Sequence, residues 1–212
     1  KNDRWVVTVE VDLPRVRAIR IEALTHKLLK KKGPGRARNG NFALSDLRVF
    51  AKGMGEKGKS KPIKLVNPQG DFQQNNDNHI LSATSAIDED PHGTGWSSSL
   101  HPGKEHACLF EFAEVVEHDG GTVFTFELDY LQNANHAIGR PRFSVSSSPI
   151  PLLDGDSSRA ELISLLGTME KLDDVKSLDQ KQRQSLKRKY RSIDPKWIDL
   201  TAKLFAYEAR KP

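Results

Sequence analysis

The residues best suited to chemistry lie between positions 86 and 96, where the chain reads A-I-D-E-D-P-H-G-T-G-W. Asp88, Glu89 and Asp90 place carboxylates side by side on a short segment that also carries Thr94 and two glycines. Ca²⁺ collects about 6–8 oxygen ligands, and a tight turn supplies carboxylates and backbone carbonyls together. The same residues also make an acidic turn that satisfies itself through side-chain hydrogen bonds. A glycosidase acid pair must be separated across a cleft, which neighbouring residues on one turn are not.

A second group lies at 33–41, G-P-G-R-A-R-N-G-N. Gly33, Gly35 and Gly40 permit positive φ and close approach of backbone. Arg36 and Arg38 offer planar forks for carboxylate or sulfate, and Asn39 and Asn41 add amide donors, a set suited to an anionic polysaccharide. The arginines serve equally well in salt bridges within a parent protein. His92, Trp96 and His101 extend the candidate ligand set along the chain. Trp96 offers either a stacking face for a sugar ring or a core position beside the acidic loop. None of the seven histidines forms H-x-x-x-H or H-E-x-x-H on an expected helix, and neither a G-x-S-x-G elbow nor a nucleotide-type glycine loop is present. Cys108 is the sole cysteine, so it forms no internal disulfide; its apolar neighbours mark it as a buried structural thiol. No residue is assigned to catalysis.

The elements that must hold these groups are short strands. Residues 5–11 alternate valine with polar residues, and 17–24, 42–50, 62–72, 107–112, 122–130 and 142–147 follow as strand candidates. A phase shift at Ser45 and Asp46 predicts a bulge. Residues 75–99 read as polar and turn-rich. With no helical pattern between the strands, 1–150 is expected to be a jelly-roll-like β-sandwich. After residue 150 the period changes. Ser158 with Glu161, Ser177 with Gln180, and Asp194 before Pro195 mark helix starts, so 151–212 is expected to be a helical extension of about three helices. Trp197, Leu200 and Leu204 share one stripe of the last helix.

Charge and composition bound the partners. The formal charge is +5, with 29% charged and 36% hydrophobic residues. The basic residues are dispersed or sit in Gly/Pro-rich loops, and nucleic-acid motifs are absent, so no nucleic-acid partner is expected. No stretch approaches a membrane span of ~20 apolar residues. Lys1 in place of Met, and Pro212 directly after a helical pattern, read as cuts within a longer chain.

The A-I-D … T-G-W pattern of Ala86, Ile87, Asp88, Thr94, Gly95 and Trp96 resembles the A-x-D-G … T-x-W signature of galactose-binding-like sandwiches. These are the discoidin type, which includes many carbohydrate-binding modules. The resemblance implies a structural Ca²⁺ held by Asp88, Asp90 and Thr94, and a core position for Trp96. Glu89 departs from the usual glycine. The family's late L-x-E-x-x-V strand is similar to L-S-D-L-R-V at 44–49, which implies a permuted strand order with Asp46 as distal ligand. A longer series is similar to the middle region of large planctomycete cytochrome-c-associated proteins: I-R-I-E-A-L at 19–24, G-P-G-R-A-R-N-G-N-F-A-L-S-D at 33–46, the Asp88 loop, I-G-R-P-R-F-S-V-S at 138–146 and Y-R-S-I-D-P at 190–195. Those proteins are multidomain and thought to be exported, which implies an extracellular or periplasmic setting. Their haem signature C-x-x-C-H is absent here, so no haem is expected in this fragment. The expected function is a non-catalytic carbohydrate-binding-like module. The alternative is an interdomain spacer that contacts only neighbouring domains of the parent chain.

Overall fold

The computed structural model describes residues 2–76, 79–99, 101–148, 151 and 153. The protein is mainly β, built from antiparallel sheets. Sheet A comprises β1 (Asp3–Val11), β11 (Thr122–Tyr130), β4 (Asp46–Gly53) and β5 (Lys61–Ile63), in that spatial order. Sheet B comprises β12 (Pro141–Ser146), β2 (Arg15–Ala23), β10 (His106–Glu117) and β6 (Leu65–Gly70). Two small pairs complete the fold: β3 (Ala43–Leu44) with β9 (Trp96–Ser97), and β7 (Gln74–Asn76) with β8 (His79–Leu81).

The sheets are sandwich-like because alternate residues of both enter one core. Ile19, Ile21, Cys108 and Phe110 from sheet B meet Val49, Phe124, Phe126 and Leu128 from sheet A. Ring pairs bridge the layers: Phe126 stacks on Phe143 at 5.3 Å and Phe112 lies 5.7 Å from Phe124. Such offset pairs add to the area buried by each ring. Cys108 is buried as expected, and burial pushes its thiol pKa well up.

Two expected strands divide. The phase shift at Ser45 is not a bulge within one strand: β3 ends at Leu44 and pairs with β9, whereas β4 starts at Asp46 and pairs with β11. Residues 62–72 also split. β5 belongs to sheet A and β6 to sheet B, with Lys64 alone between them. β10 runs on to Glu117 through an irregularity between Glu111 and Val116.

The register puts two kinds of connection at opposite ends. Asp3 pairs with Tyr130, Asp46 with Asp129, and both His106 and Pro141 with Ala23. From that end spring the long connections 24–42, 71–105 and 131–140. The short turns 12–14, 54–60 and 118–121 close the other end, tied by bonds from Met54 N–H to Gly121 O and His118 N–H to Pro14 O. After β12, Leu153 packs with Ala18, Ala107 and Leu109 of sheet B, and Gln69 bonds the backbone of both Pro151 and Leu153. The helices expected in 151–212 lie outside the described residues.

Candidate functional site

The candidate ligand residues all belong to the end with long connections; apart from Asn41 and Trp96 they form three separate groups there. The first is the loop at 33–41. Its shape follows from close backbone approach: a Cβ on Gly35 would lie 1.7 Å from Asn41 O. Gly35 is therefore required by contact rather than by φ, while Gly33 and Gly40 take φ of +82° and +84°. Gly35 N–H donates to Gly40 O at 2.8 Å, Gly40 N–H to Ala37 O at 2.9 Å, and Asn39 Oδ1 accepts Asn41 N–H at 3.1 Å. The loop is sewn to 131–140 by Arg36 N–H to Ala137 O and Gly139 N–H to Pro34 O.

Between these two loops lies a pocket of about 620 Å³ lined by Arg36, Arg38, Asn39, Asn135 and His136 with Ala37 and Ala134. Arg36 sits 4.0 Å from Asp3, a loose pair that leaves its side chain half exposed. Arg38 makes no ion pair among the described residues. His136 Nδ1 donates to Ala134 O at 2.8 Å, which fixes the proton on Nδ1 and leaves Nε2 as the acceptor of the neutral ring. Asn135 holds φ +62°, a conformation that asparagine tolerates better than most residues. Arg36, Arg38 and Asn39 were marked by the sequence. Asn135 and His136 were not, because nothing local signals that 131–140 folds against 33–41.

Asn41 does not join this pocket, contrary to the sequence reading. It is buried, its Nδ2 donates to Ser97 Oγ, and its Oδ1 accepts the Ser98 N–H at 3.0 Å. Gln74 Oε1 accepts Ser97 Oγ–H and Ser99 N–H. The amide is spent satisfying backbone and hydroxyl groups beneath the loops. Trp96 is also corrected as a ligand contact. It is fully buried, with its ring 4.7 Å from Phe42 in an edge-to-face contact, so no sugar reaches it. Its neighbour Gly95 lies flat on Leu44, leaving no room for a Cβ. The core position implied by the family resemblance is the one observed.

The second group is the acidic loop. Asp88 Oδ1 accepts Asp90 N–H at 3.0 Å and its Oδ2 accepts Thr94 Oγ1–H at 2.5 Å. Asp90 Oδ1 accepts the N–H of His92 and Gly93. Thr94 Oγ1 also lies 3.4 Å from Ser85 O and 3.5 Å from Asp90 O, so several hard oxygens converge around one hydroxyl. Glu89 adopts φ +64°, the region where glycine is cheapest and where the resembling signature carries glycine. His92 is exposed on this loop and does not line the basic pocket. Asp46, at the start of β4, is buried and bonds Arg48 at 2.9 Å. Burial pushes its carboxyl pKa up; Arg48 opposes this, and the nearby charges of Asp129 and Asp88 add to it. Asp46 and Asp88 thus lie close enough to feel each other. Among the described residues no three His, Cys, Asp or Glu side chains are grouped as a metal site.

Asp129 shows the opposite balance. Burial raises its pKa, but the hydrogen bond from Arg4 and the charges of Arg48 and Arg4 outweigh burial and hold it below the usual carboxylate range. The third group is a ring stack. His101 lies 4.1 Å from Phe72 and 5.7 Å from His106, which is buried and bonded to Asp71 at 3.2 Å. His101 is a lid over this stack rather than a neighbour of Arg36.

No helix among the described residues is long and apolar enough to cross a membrane. Compared with known proteins, the chain matches no family model, no curated protein sequence and no solved structure.

Proposed function

We propose that this protein is a non-catalytic binding module whose ligand is an anionic polysaccharide held at the Arg36–Arg38 pocket. The observation that carries this reading is the convergence of Arg36, Arg38, Asn39, Asn135 and His136 from two distant loops on one open pocket. Guanidinium forks pair with carboxylate or sulfate, and side-chain amides pair with hydroxyls in either direction. With Trp96 withdrawn into the core and neither tryptophan, tyrosine nor phenylalanine in the lining, stacking contributes little, so the charged groups must supply the affinity.

The sequence resemblances supply the setting: a galactose-binding-like sandwich within an exported, cytochrome-associated parent. They also imply a structural Ca²⁺ on the acidic loop. The oxygens around Thr94 and the left-handed Glu89 support such a site. Asp88 with the Asp90 and Ser85 carbonyls would hold the ion and fix the loop.

The test is affinity electrophoresis of the full chain through gels containing sulfated, carboxylated or neutral polysaccharides. Retardation by the anionic gels, weakened by salt and abolished in an R36A/R38A double variant that melts normally, is the expected result. A folded protein retarded by none of them removes the reading. A spacer role draws on a different observation, the anchoring of Pro151 and Leu153 on sheet B. It predicts that none of these glycans binds.

A further inference from the structure

Sheets end in edges, and an unpaired edge recruits another strand unless something blunts it. Sheets A and B present four edges, and three of these are blunted. β5 spans only Lys61–Ile63 and contains Pro62. β6 contains Pro68, holds Asn67 at φ +47° and pairs irregularly with β10. β12 is six residues long and opens on Pro141. The fourth edge, β1, carries none of these devices. It runs nine residues without proline and without a register shift against β11, and among the described residues no strand lies on its other side.

The core is also open along this strand. Trp5, Val7, Val9 and Val11 face inward and pack against it, yet each remains only partly buried. On the outer face Val6 is 60% exposed. A further strand added beside β1 would cover both rows.

The sequence of β1 indicates which strand. When a second copy is laid antiparallel beside it about Val7, Arg4 comes opposite the second copy's Glu10, Trp5 opposite its Val9 and Val6 opposite its Thr8. Both opposite charges on the outer face are then matched twice by symmetry, and every inward residue meets an inward residue. Glu10 has no ion pair among the described residues. Arg4 uses Nε and Nη2 on Asp129, which leaves Nη1 available across the edge. Cross-strand ion pairs and apolar pairs are the units that stabilise such a junction.

We propose that β1 is a self-pairing edge through which two copies of this chain join sheet A to sheet A about Val7. The symmetry is the closed, isologous kind, in which the same patch serves both subunits.

Sedimentation of the full chain across the micromolar range tests this, with far-UV circular dichroism confirming each variant's fold. The expected result is a reversible monomer–dimer equilibrium that E10R weakens by about tenfold, because two attractions become two repulsions. Cysteine cross-linking reads the register, and buried Cys108 keeps the background low. Val7 faces its own symmetry mate, so V7C should form a covalent dimer under mild oxidation. Two Val9 positions stand about 13 Å apart along the strands, beyond disulfide reach, so V9C should not. A wild-type chain that stays monomeric throughout overturns the proposal. So does a dimer in which V9C cross-links as readily as V7C, or one indifferent to E10R, since either places the contact elsewhere.

Discussion

The two ends of this sandwich solve the same problem in opposite ways. At one end the chain reverses through the short turns 12–14, 54–60 and 118–121, held by backbone bonds between neighbouring turns and by local side-chain bonds such as Glu56 to Gly53 N–H and His118 to Thr122. At the other, three long connections have only the short β7–β8 and β3–β9 ladders and must satisfy their remaining polar groups otherwise. They do so by burying polar side chains: Asn41, Gln74, Ser97 and Ser98 in one network, Ser45, Asp46 and Asp129 in a second, and His106 in a third. Buried backbone must be paired, so long loops are possible only where such networks exist. The basic pocket and the acidic loop both stand on that polar foundation, and the short-turn end carries neither.

This contrast can be broken by experiment. The largest effect is expected at Gly35. G35A drives a methyl into the Asn41 carbonyl and should cost about 3 kcal/mol or more in chemical denaturation, whereas G120A, in open space among the short turns, should stay within about 0.5 kcal/mol. Equal tolerance at both positions would show that the loop end is not held by close contact.

Next comes removal of the proposed Ca²⁺. A ligand present at a hundredfold its Kd stabilises the native state by about 2.7 kcal/mol, so EDTA should lower Tm by several degrees, and D88N should abolish that response. An unchanged melting curve removes the ion.

Asp129 and Asp46 give a paired test. D129N leaves Arg4 and Arg48 without their shared partner and should cost about 1.5–3 kcal/mol at neutral pH. The pH dependence has opposite signs at the two carboxylates. Asp129 and Glu22 are held below their ordinary values, Glu22 chiefly by the bond from Arg142, so their stabilisation is complete above the unfolded carboxylate range near about pH 4 and is lost as pH falls through the folded values. Asp46 is raised, so its ionised form costs stability that is recovered on acidification. D46N in EDTA should therefore leave neutral-pH stability unchanged or higher, while D129N should flatten the acid limb. Denaturation between about pH 3 and pH 7 checks both signs.

The smallest effect on stability is expected where function is proposed. R36A/R38A should change unfolding free energy by no more than about 0.5 kcal/mol, because both side chains are exposed and only a loose pair with Asp3 is lost. A larger loss would reassign these arginines to structure.

The strands were legible wherever hydropathy alternates against a single core. Residues 5–11 and 122–130 are the clear cases, and their inward valines and phenylalanines line the interior. Alternation does not reveal which sheet a strand joins. It therefore missed the switch at Lys64, where β5 leaves sheet A and β6 enters sheet B with one residue between, and it read the break at Ser45 as a bulge. The basic pocket was half legible. Arg36, Arg38 and Asn39 share one loop, but Asn135 and His136 arrive from about a hundred residues away, tied by the bridge of Gly35 with Ile138 and by Ala43 N–H to His136 O. Asn41 misled because its residue type suits a ligand, and only the packing of β9 beneath the loops shows that it is consumed inside; for Trp96 the core position was one of the two expectations, and the structure selects it.

The pairing of β1 has a mechanical meaning as well. A pull applied at Asp3 and opposed at Ser146 runs along the strands, because β1 starts at the end with long connections and β12 leaves at the other. It would load the nine pairs of β1 with β11 together, in shear, rather than unzip them one at a time. The contact of Asp3 with Arg36 and the clamp of Arg4 on Asp129 lie at the loaded end of that seam.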